Sequence, residues 1–247
     1  MSAQALDAGR GWAWIVDGFA LFQKSPFMWV VLTVVLALLW ITSLSIPVLG
    51  PLLFNLLSPA LFAGLMLGCK ALERGGELEL AHLFAGFRNH GTALVTIGGV
   101  YLIGSIVVLG AVWATAGGTM LQTVLQKGAT DIHMISGAVR SFALALLVGC
   151  VLYLPLLMLI WFAPILVVLE NMKPLDAMKR SLAACLYNWL AFLVYGAILL
   201  VLWFVASIPL LLGLLVLLPV LFCSIYASYK DIFPAVAAAP AAERAPQ

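Results

Sequence analysis

The chain contains four long tracts that carry no Asp, Glu, Lys or Arg. The first of them runs for 43 residues, from Phe27 to Cys69. A single helix of that length would be about 65 Å long, about twice the ~30 Å thickness of the hydrocarbon core of a bilayer. The tract must therefore fold back on itself. The break is predicted at Pro47, Gly50 and Pro51, because prolines and a glycine so close together interrupt a continuous helix.

The composition of the chain agrees with burial in lipid. Apolar side chains make up 65% of the residues and charged side chains only 9%, whereas a soluble domain carries about 25% charged residues. A water-facing surface cannot be built from so few charges, so the lipid bilayer is the predicted surrounding. The formal net charge of +2 is too small to indicate a nucleic-acid partner.

The same reasoning applied to the other tracts predicts an all-α integral membrane protein. Six transmembrane helices form three hairpins, and each hairpin is preceded by a short amphipathic interfacial helix. The predicted spans cover about 27–46, 51–70, 92–114, 141–169, 189–208 and 210–229. They form a transmembrane domain over 27–229, with a leader at 1–26 and a Pro/Ala-rich tail at 230–247 that is expected to be disordered.

The clearest interfacial helix is predicted to begin at Pro174, because proline suits the first position of a helix. Its apolar residues share one face and its charged residues the opposite side; the two sets are Leu175, Met178, Leu182 and Leu186, and Asp176, Lys179 and Arg180. A basic amphipathic helix of this kind lies flat at a membrane surface. The other two interfacial helices are predicted in the leader and at 78–87, and a further short surface helix at 119–127.

Lysine and arginine are distributed unevenly between the two sides of this arrangement. Of the twelve in the chain, ten lie in the leader, the tail and the connections that share their side. The other two, Lys127 and Arg140, lie on the opposite side. Because basic residues are enriched in cytoplasmic connections, both termini are predicted to be cytoplasmic.

The first and last hairpins have similar sequences. The segments 45–62 and 207–222 both begin Ser-Ile-Pro, continue with a glycine three or four residues after the proline, and close with Pro-x-Leu-Phe. The middle hairpin has the same layout, with Pro155 and Pro164 interrupting its apolar run, but it lacks these sequence motifs. Three parallel repeats of an interfacial helix and a hairpin explain the likeness. The alternative is chance coincidence in a composition rich in leucine and proline.

The sequence contains few candidates for catalytic or metal-binding residues. Ionisable groups deep in a membrane usually mark function, and the predicted spans contain none, which counts against a proton-coupled carrier. The sequence signatures of phosphate-binding loops, zinc proteases and serine hydrolases are missing as well. The four cysteines stand apart, without metal-ligand spacing. We therefore predict a protein that is not an enzyme and has no catalytic residue, cofactor or metal.

A few polar residues remain as candidate contacts. Candidate contacts to a lipid headgroup or a partner are Glu170, Lys173, Lys179, Arg180 and Arg88. Glu170 is open to two interpretations: an ion pair with a nearby base that caps the hairpin, or part of an anion-binding site. Asn55, the candidate intramembrane contact, makes either an interhelical hydrogen bond or a substrate contact. The sequence gives no role to His82, His90 or His133.

Several short motifs resemble those of a family of uncharacterised proteobacterial inner-membrane proteins. They are Gly11-Trp12-Ala13-Trp14, Leu21-Phe22 with Pro26 and Trp29, Pro47 with Gly50, His82-Leu83-Phe84-Ala85-Gly86-Phe87 and Trp161-Phe162-Ala163-Pro164. The segment 164–189 is more distantly similar to the membrane domain attached to some glycerophosphodiester phosphodiesterases. The catalytic part of those enzymes is missing here, so no activity carries over. The resemblance implies a six-helix bacterial inner-membrane protein and adds no catalytic residues.

Two functions follow from these patterns. The first is binding of anionic lipid or another membrane protein through the interfacial helices, with a second copy of the chain as a further candidate partner. The alternative is a permease or channel for a small, largely uncharged solute, which the repeats and the proline-broken spans favour.

Overall fold

The computed structural model describes residues 6–125, 132–209 and 212–234, with side chains throughout except at 89 and 116–138. Within these ranges the regular secondary structure is entirely α-helical. The helices are α1 Arg10–Phe22, α2 Pro26–Leu44, α3 Leu49–Glu73, α4 His82–Leu125, α5 Ile132–Trp161, α6 Ala163–Glu170, α7 Pro174–Tyr187, α8 Trp189–Ser207 and α9 Leu214–Ile232. An all-α integral membrane fold is confirmed.

Six helical segments are long and apolar enough to cross a membrane, as predicted. They are Pro26–Leu44, Leu49–Glu73, His90–Thr115, Val139–Glu170, Trp189–Ser207 and Leu214–Ile232. Each of these segments overlaps one of the predicted spans in the sequence. The first turn falls at the predicted place, where Val48 adopts a left-handed backbone (φ 65°). Two residues later the turn requires a glycine, Gly50, because a Cβ there would collide with the carbonyl oxygen of Ser43.

The three interfacial helices are α1, the first eight residues of α4 (82–89) and α7. Each is followed, within three residues, by a residue whose backbone leaves the helical region: Ser25 (φ −153°, ψ 62°), His90 (φ −127°, ψ 17°) and Asn188 (φ −110°, ψ 25°). A membrane span begins at His90 itself and directly after Ser25 and Asn188. The same bend therefore joins an interfacial helix to a hairpin at three places in the described chain.

The packing of the interfacial helices is cyclic. Segment 82–89 packs against α3. Helix α7 packs against α5 and α6. Each of these two interfacial helices therefore lies on the second arm of the hairpin that precedes it. Helix α1 packs against α8 and α9 of the last hairpin and closes a ring. We call the end of the bundle that carries these three helices the interfacial side. This common arrangement favours three repeats over chance similarity.

The centre of the bundle is formed by the second arms of the hairpins. About half of α3 and α9 is buried, 50% and 56%, against 17% or less for the other four spans. The short helix α6 is also buried, with Ile165, Leu166 and Val167 fully covered. Helices α2 and α8 bury few side chains and are the lipid-facing arms. The protein core therefore sits where α3, α6 and α9 approach one another on the interfacial side.

Several predicted boundaries were wrong. The helix predicted from 78 begins at His82, whose Nδ1 accepts the backbone N–H of Glu79 at 3.0 Å and so caps the first turn. The surface helix predicted at 119–127 is not separate, because α4 continues to Leu125; its last two residues lie outside the described ranges. Pro155 does not interrupt α5, in keeping with the tolerance of membrane helices for proline.

The carboxyl end of the predicted transmembrane domain also differs from the structure. The last helix, α9, continues to Ile232, into the segment predicted to be tail. The rest of the tail, from 235 onward, lies outside the described residues, and so do residues 1–5 of the leader.

Candidate functional site

Glu170 and Arg180 face each other on the interfacial side. The Arg180 Nη1 donates to Glu170 Oε2 at 3.0 Å, and the Tyr229 hydroxyl donates to Glu170 Oε1 at 3.1 Å. Side-chain exposure is only 5% for Glu170 and 20% for Arg180. The guanidinium also lies 5.0 Å from the ring centre of Phe233. This arrangement joins α6, α7 and α9. It agrees with the first interpretation of Glu170, in which an ion pair with a nearby base caps the hairpin.

A serine fixes α7 beside this pair. The Ser181 hydroxyl donates to the Met158 carbonyl oxygen at 2.6 Å and accepts the backbone N–H of Phe162 at 2.9 Å. Those two backbone groups lie at the break between α5 and α6, where helical hydrogen bonds are lost. Ser181 is fully buried and therefore replaces the missing partners. The sequence analysis missed this role because one serine in an amphipathic helix has no distinctive pattern.

The other predicted contacts do not join the pair. Lys173 directly before α7, Lys179 on α7 and Arg88 on segment 82–89 are exposed. On α7 the exposed lysines accompany Leu175 and Leu186, whose side chains are 60% and 55% exposed. The exposed surface of α7 thus combines leucines with cations, as expected at a lipid surface.

The surface of α7 that packs on the protein shares only Met178 with the predicted apolar face. It consists of small or flexible side chains, namely Ala177, Met178, Ser181, Ala184 and Cys185. Small residues let the helix backbone approach α5 and α6 closely. Burial raises the pKa of the Cys185 thiol to about 12, so this cysteine is an uncharged packing residue.

Asn55 is half-buried on α3 and makes no side-chain hydrogen bond with a described residue. One turn further on, Ser58 lines a cavity of about 260 Å³ between α3, α4, α5, α6 and α9. Its walls are mostly apolar and include Tyr101 and Trp161. The structure therefore places Asn55 near this cavity but not in its lining.

The histidines have local partners. His82 caps segment 82–89, and the His90 Nε2 lies 3.2 Å from Asn171 Oδ1. Asn171 occupies the turn between α6 and α7 with a left-handed backbone (φ 55°). His90 thus connects the bend in α4 to that turn. The side chain of His133 lies outside those that the structure describes.

A charged cleft of about 500 Å³ lies on the interfacial side, between α1 and the ends of α3 and α9. Its charged lining consists of Arg10, Asp17, Lys24, Glu73, Lys230 and Asp231. The sequence analysis did not predict it. The visible signal is the seven-residue spacing of Arg10, Asp17 and Lys24, which repeats on one side of a helix.

Ion pairs hold the walls of the charged cleft. The Arg10 Nε lies 2.7 Å from Asp231 Oδ2, which also accepts the Trp14 Nε1–H at 2.8 Å. The hydrogen bond with Asp231 is the main cause that raises the pKa of Arg10 above its ordinary value. Lys230 pairs with Glu73, and Glu73 accepts the Tyr226 hydroxyl.

The chain is 30% identical to a probable inner membrane protein of Burkholderia thailandensis, over an alignment of 255 positions that covers 92% of each chain. The chain belongs to this family of inner membrane proteins. The predicted resemblance to such proteins is confirmed at this level, and the membrane location with it. No protein-family model and no solved structure matches the chain. The more distant likeness to phosphodiesterase-linked membrane domains stays a prediction.

Proposed function

We propose that this inner-membrane protein is not an enzyme and binds anionic lipid through the exposed lysines of α7. The observation that carries the proposal is the surface of α7, where Lys173 and Lys179 are exposed beside Leu175 and Leu186. The sequence pattern grouped Arg180 with these two lysines, but Arg180 forms an ion pair with Glu170 instead.

Two physical effects support lipid binding at this surface. Exposed leucines gain free energy when they enter the boundary between headgroups and acyl chains. A lysine near an anionic surface contributes about 1 kcal/mol. Helix α7 is held at a fixed depth because Ser181 attaches it to the break between α5 and α6, and Arg180 pairs with Glu170 at the end of α6. Arg88, exposed on segment 82–89, adds a third cation on the same side.

We expect replacement of Lys173 and Lys179 by glutamine to weaken anionic-lipid binding about fivefold for each lysine. Native mass spectrometry of the detergent-purified full chain with phosphatidylglycerol measures the bound fraction. Asp176→Asn is the matched control on the same helix, because it removes an exposed charge of opposite sign and should not weaken binding. Unchanged binding of phosphatidylglycerol by the double variant would refute the proposal, and a change confined to pull-down of another membrane protein would replace lipid by a protein partner.

The proposal places both termini in the cytoplasm, so that the interfacial side faces the cytoplasmic leaflet. We expect a green fluorescent protein fused after Gln247 to fluoresce, and alkaline phosphatase fused after Lys127 to be active. A dark fluorescent protein and an inactive phosphatase would indicate the inverted topology. Reporters that place both positions on the same side of the membrane would contradict the three spans between them.

A permease or channel is the second candidate, supported by the cavity beside Pro59 and Pro164. It requires passage of a small uncharged solute through the bundle. Glycerol flux into proteoliposomes above the protein-free rate, reduced by Asn55→Leu, would favour this candidate over lipid binding alone.

A further inference from the structure

The charged cleft holds equal numbers of positive and negative side chains. Arg10 and Asp17 lie seven residues apart on one stripe of α1, and Lys24 continues the spacing in the turn that follows. The facing wall carries Asp231, Lys230 and Glu73. A ligand with a single sign of charge meets three like charges here, whereas a ligand with both signs can face opposite charges throughout.

Four of the six charged groups already have partners of opposite sign. Arg10 pairs with Asp231, and Lys230 pairs with Glu73. The carboxylate of Asp17 makes no hydrogen bond or ion pair with any residue that the structure describes, and Lys24 gives one hydrogen bond, to the Leu72 carbonyl oxygen at 3.2 Å. The cleft therefore offers one acid and one base, about 10 Å apart along the helix axis.

The position of the cleft points to a membrane lipid. Another face of α1 exposes Trp12, Val16 and Phe19, at 56%, 47% and 43%. Apolar and tryptophan side chains exposed in this way lie at the boundary between acyl chains and headgroups. Asp17 and Lys24, on the same short helix and its turn, are then at headgroup depth.

We propose that the charged cleft binds a phosphoethanolamine headgroup, with its ammonium on Asp17 and its phosphate on Lys24. A primary ammonium donates hydrogen bonds to a carboxylate, and a phosphate accepts them from a lysine, so both available groups are used. The quaternary ammonium of choline has no N–H to donate, and phosphatidylglycerol brings no cation to Asp17. This site goes beyond the proposed function, because it differs from the α7 surface in both residues and headgroup.

Native mass spectrometry of the full chain with matched phosphatidylethanolamine and phosphatidylcholine tests the proposal. We expect tighter binding of phosphatidylethanolamine, and a loss of about tenfold in Asp17→Asn and in Lys24→Gln, since each removes a charge-assisted hydrogen bond. Both side chains are exposed, so the variants should fold. Asp176→Asn on α7 and Arg140→Gln on α5, which each change an exposed charge outside the charged cleft, are the matched controls and should retain phosphatidylethanolamine binding.

Soluble glycerophosphoethanolamine separates the sources of the headgroup. If it displaces phosphatidylethanolamine, the cleft recognises the headgroup alone. If phosphatidylethanolamine stays bound, the cleft requires a lipid within the membrane. Both results agree with the proposal. Equal binding of the two lipids, or unchanged binding by Asp17→Asn, would overturn it. Failure of the α7 lysines to bind phosphatidylglycerol would leave this result unaffected.

Discussion

Gly64→Ala is expected to destabilise the protein by about 1–3 kcal/mol, the usual result of inserting atoms into a packed interior. Gly64 lies on α3 where segment 82–89 crosses it, and a Cβ there would come within 2.6 Å of the Leu83 carbonyl oxygen. The blocking atoms belong to the backbone, so a change of side-chain rotamer cannot relieve the clash. Segment 82–89 must move away from α3, and the apparent melting temperature in detergent should fall.

Gly110→Ala is the matched control for this prediction. Gly110 also lies inside a membrane-spanning helix, but a Cβ there would meet no atom within 4 Å. Alanine has the higher helix propensity, so this substitution should leave the melting temperature unchanged or raise it. If the two alanine variants melt together, segment 82–89 does not pack on α3 in the way described.

The six spans could be predicted from the sequence because the bilayer imposes a simple physical requirement. Charged groups are costly in hydrocarbon, and a helix needs about 20 apolar residues to cross it. A charge-free run of 43 residues from Phe27 must therefore contain a turn. Pro47 and Gly50 mark the place, since one cannot continue a helix and the other permits a close approach that Ser43 would otherwise block.

The packing of the interfacial helices could not be predicted in the same way. The hydrophobic pattern of α7 shows where its leucines lie, and the structure exposes Leu175 and Leu186 rather than burying them. In a membrane protein an apolar face can contact lipid or protein, so hydropathy does not distinguish the two. The face that packs on α5 and α6 consists instead of small residues such as Ala177 and Ala184.

The candidate sites depend on contacts between distant parts of the chain. The spacing of Arg10 and Asp17 is visible in the sequence, but the facing residues Lys230 and Asp231 lie more than 200 positions away. Only the cyclic packing of α1 against the last hairpin brings them together. Arg180 was predicted among the exposed charges for a similar reason, because its guanidinium is covered by Phe233, which directly follows α9, and its partner Glu170 is bonded by Tyr229 of α9.

The structural role of Arg180 leads to the second large effect. Arg180→Met removes the counter-charge of Glu170, whose side chain is 5% exposed. Breaking a buried ion pair from one side costs about 3–5 kcal/mol, because the remaining charge is left uncompensated in a medium that solvates it poorly. We expect a large fall in the melting temperature in detergent and an increased rate of proteolysis near the turn between α6 and α7.

Two further variants separate charge compensation from simple loss of a side chain. In Glu170→Gln/Arg180→Met no buried charge remains, and the amide oxygen still accepts the Tyr229 hydroxyl, so most of the lost stability should return. Lys179→Met changes the neighbouring exposed cation and should alter the free energy of unfolding by no more than about 0.5 kcal/mol. A single Arg180→Met variant as stable as Lys179→Met would show that the pair does not hold α7 to α6. A double variant no better than the single one would assign the loss to the packing of Arg180 on Phe233, 5.0 Å away, rather than to its charge.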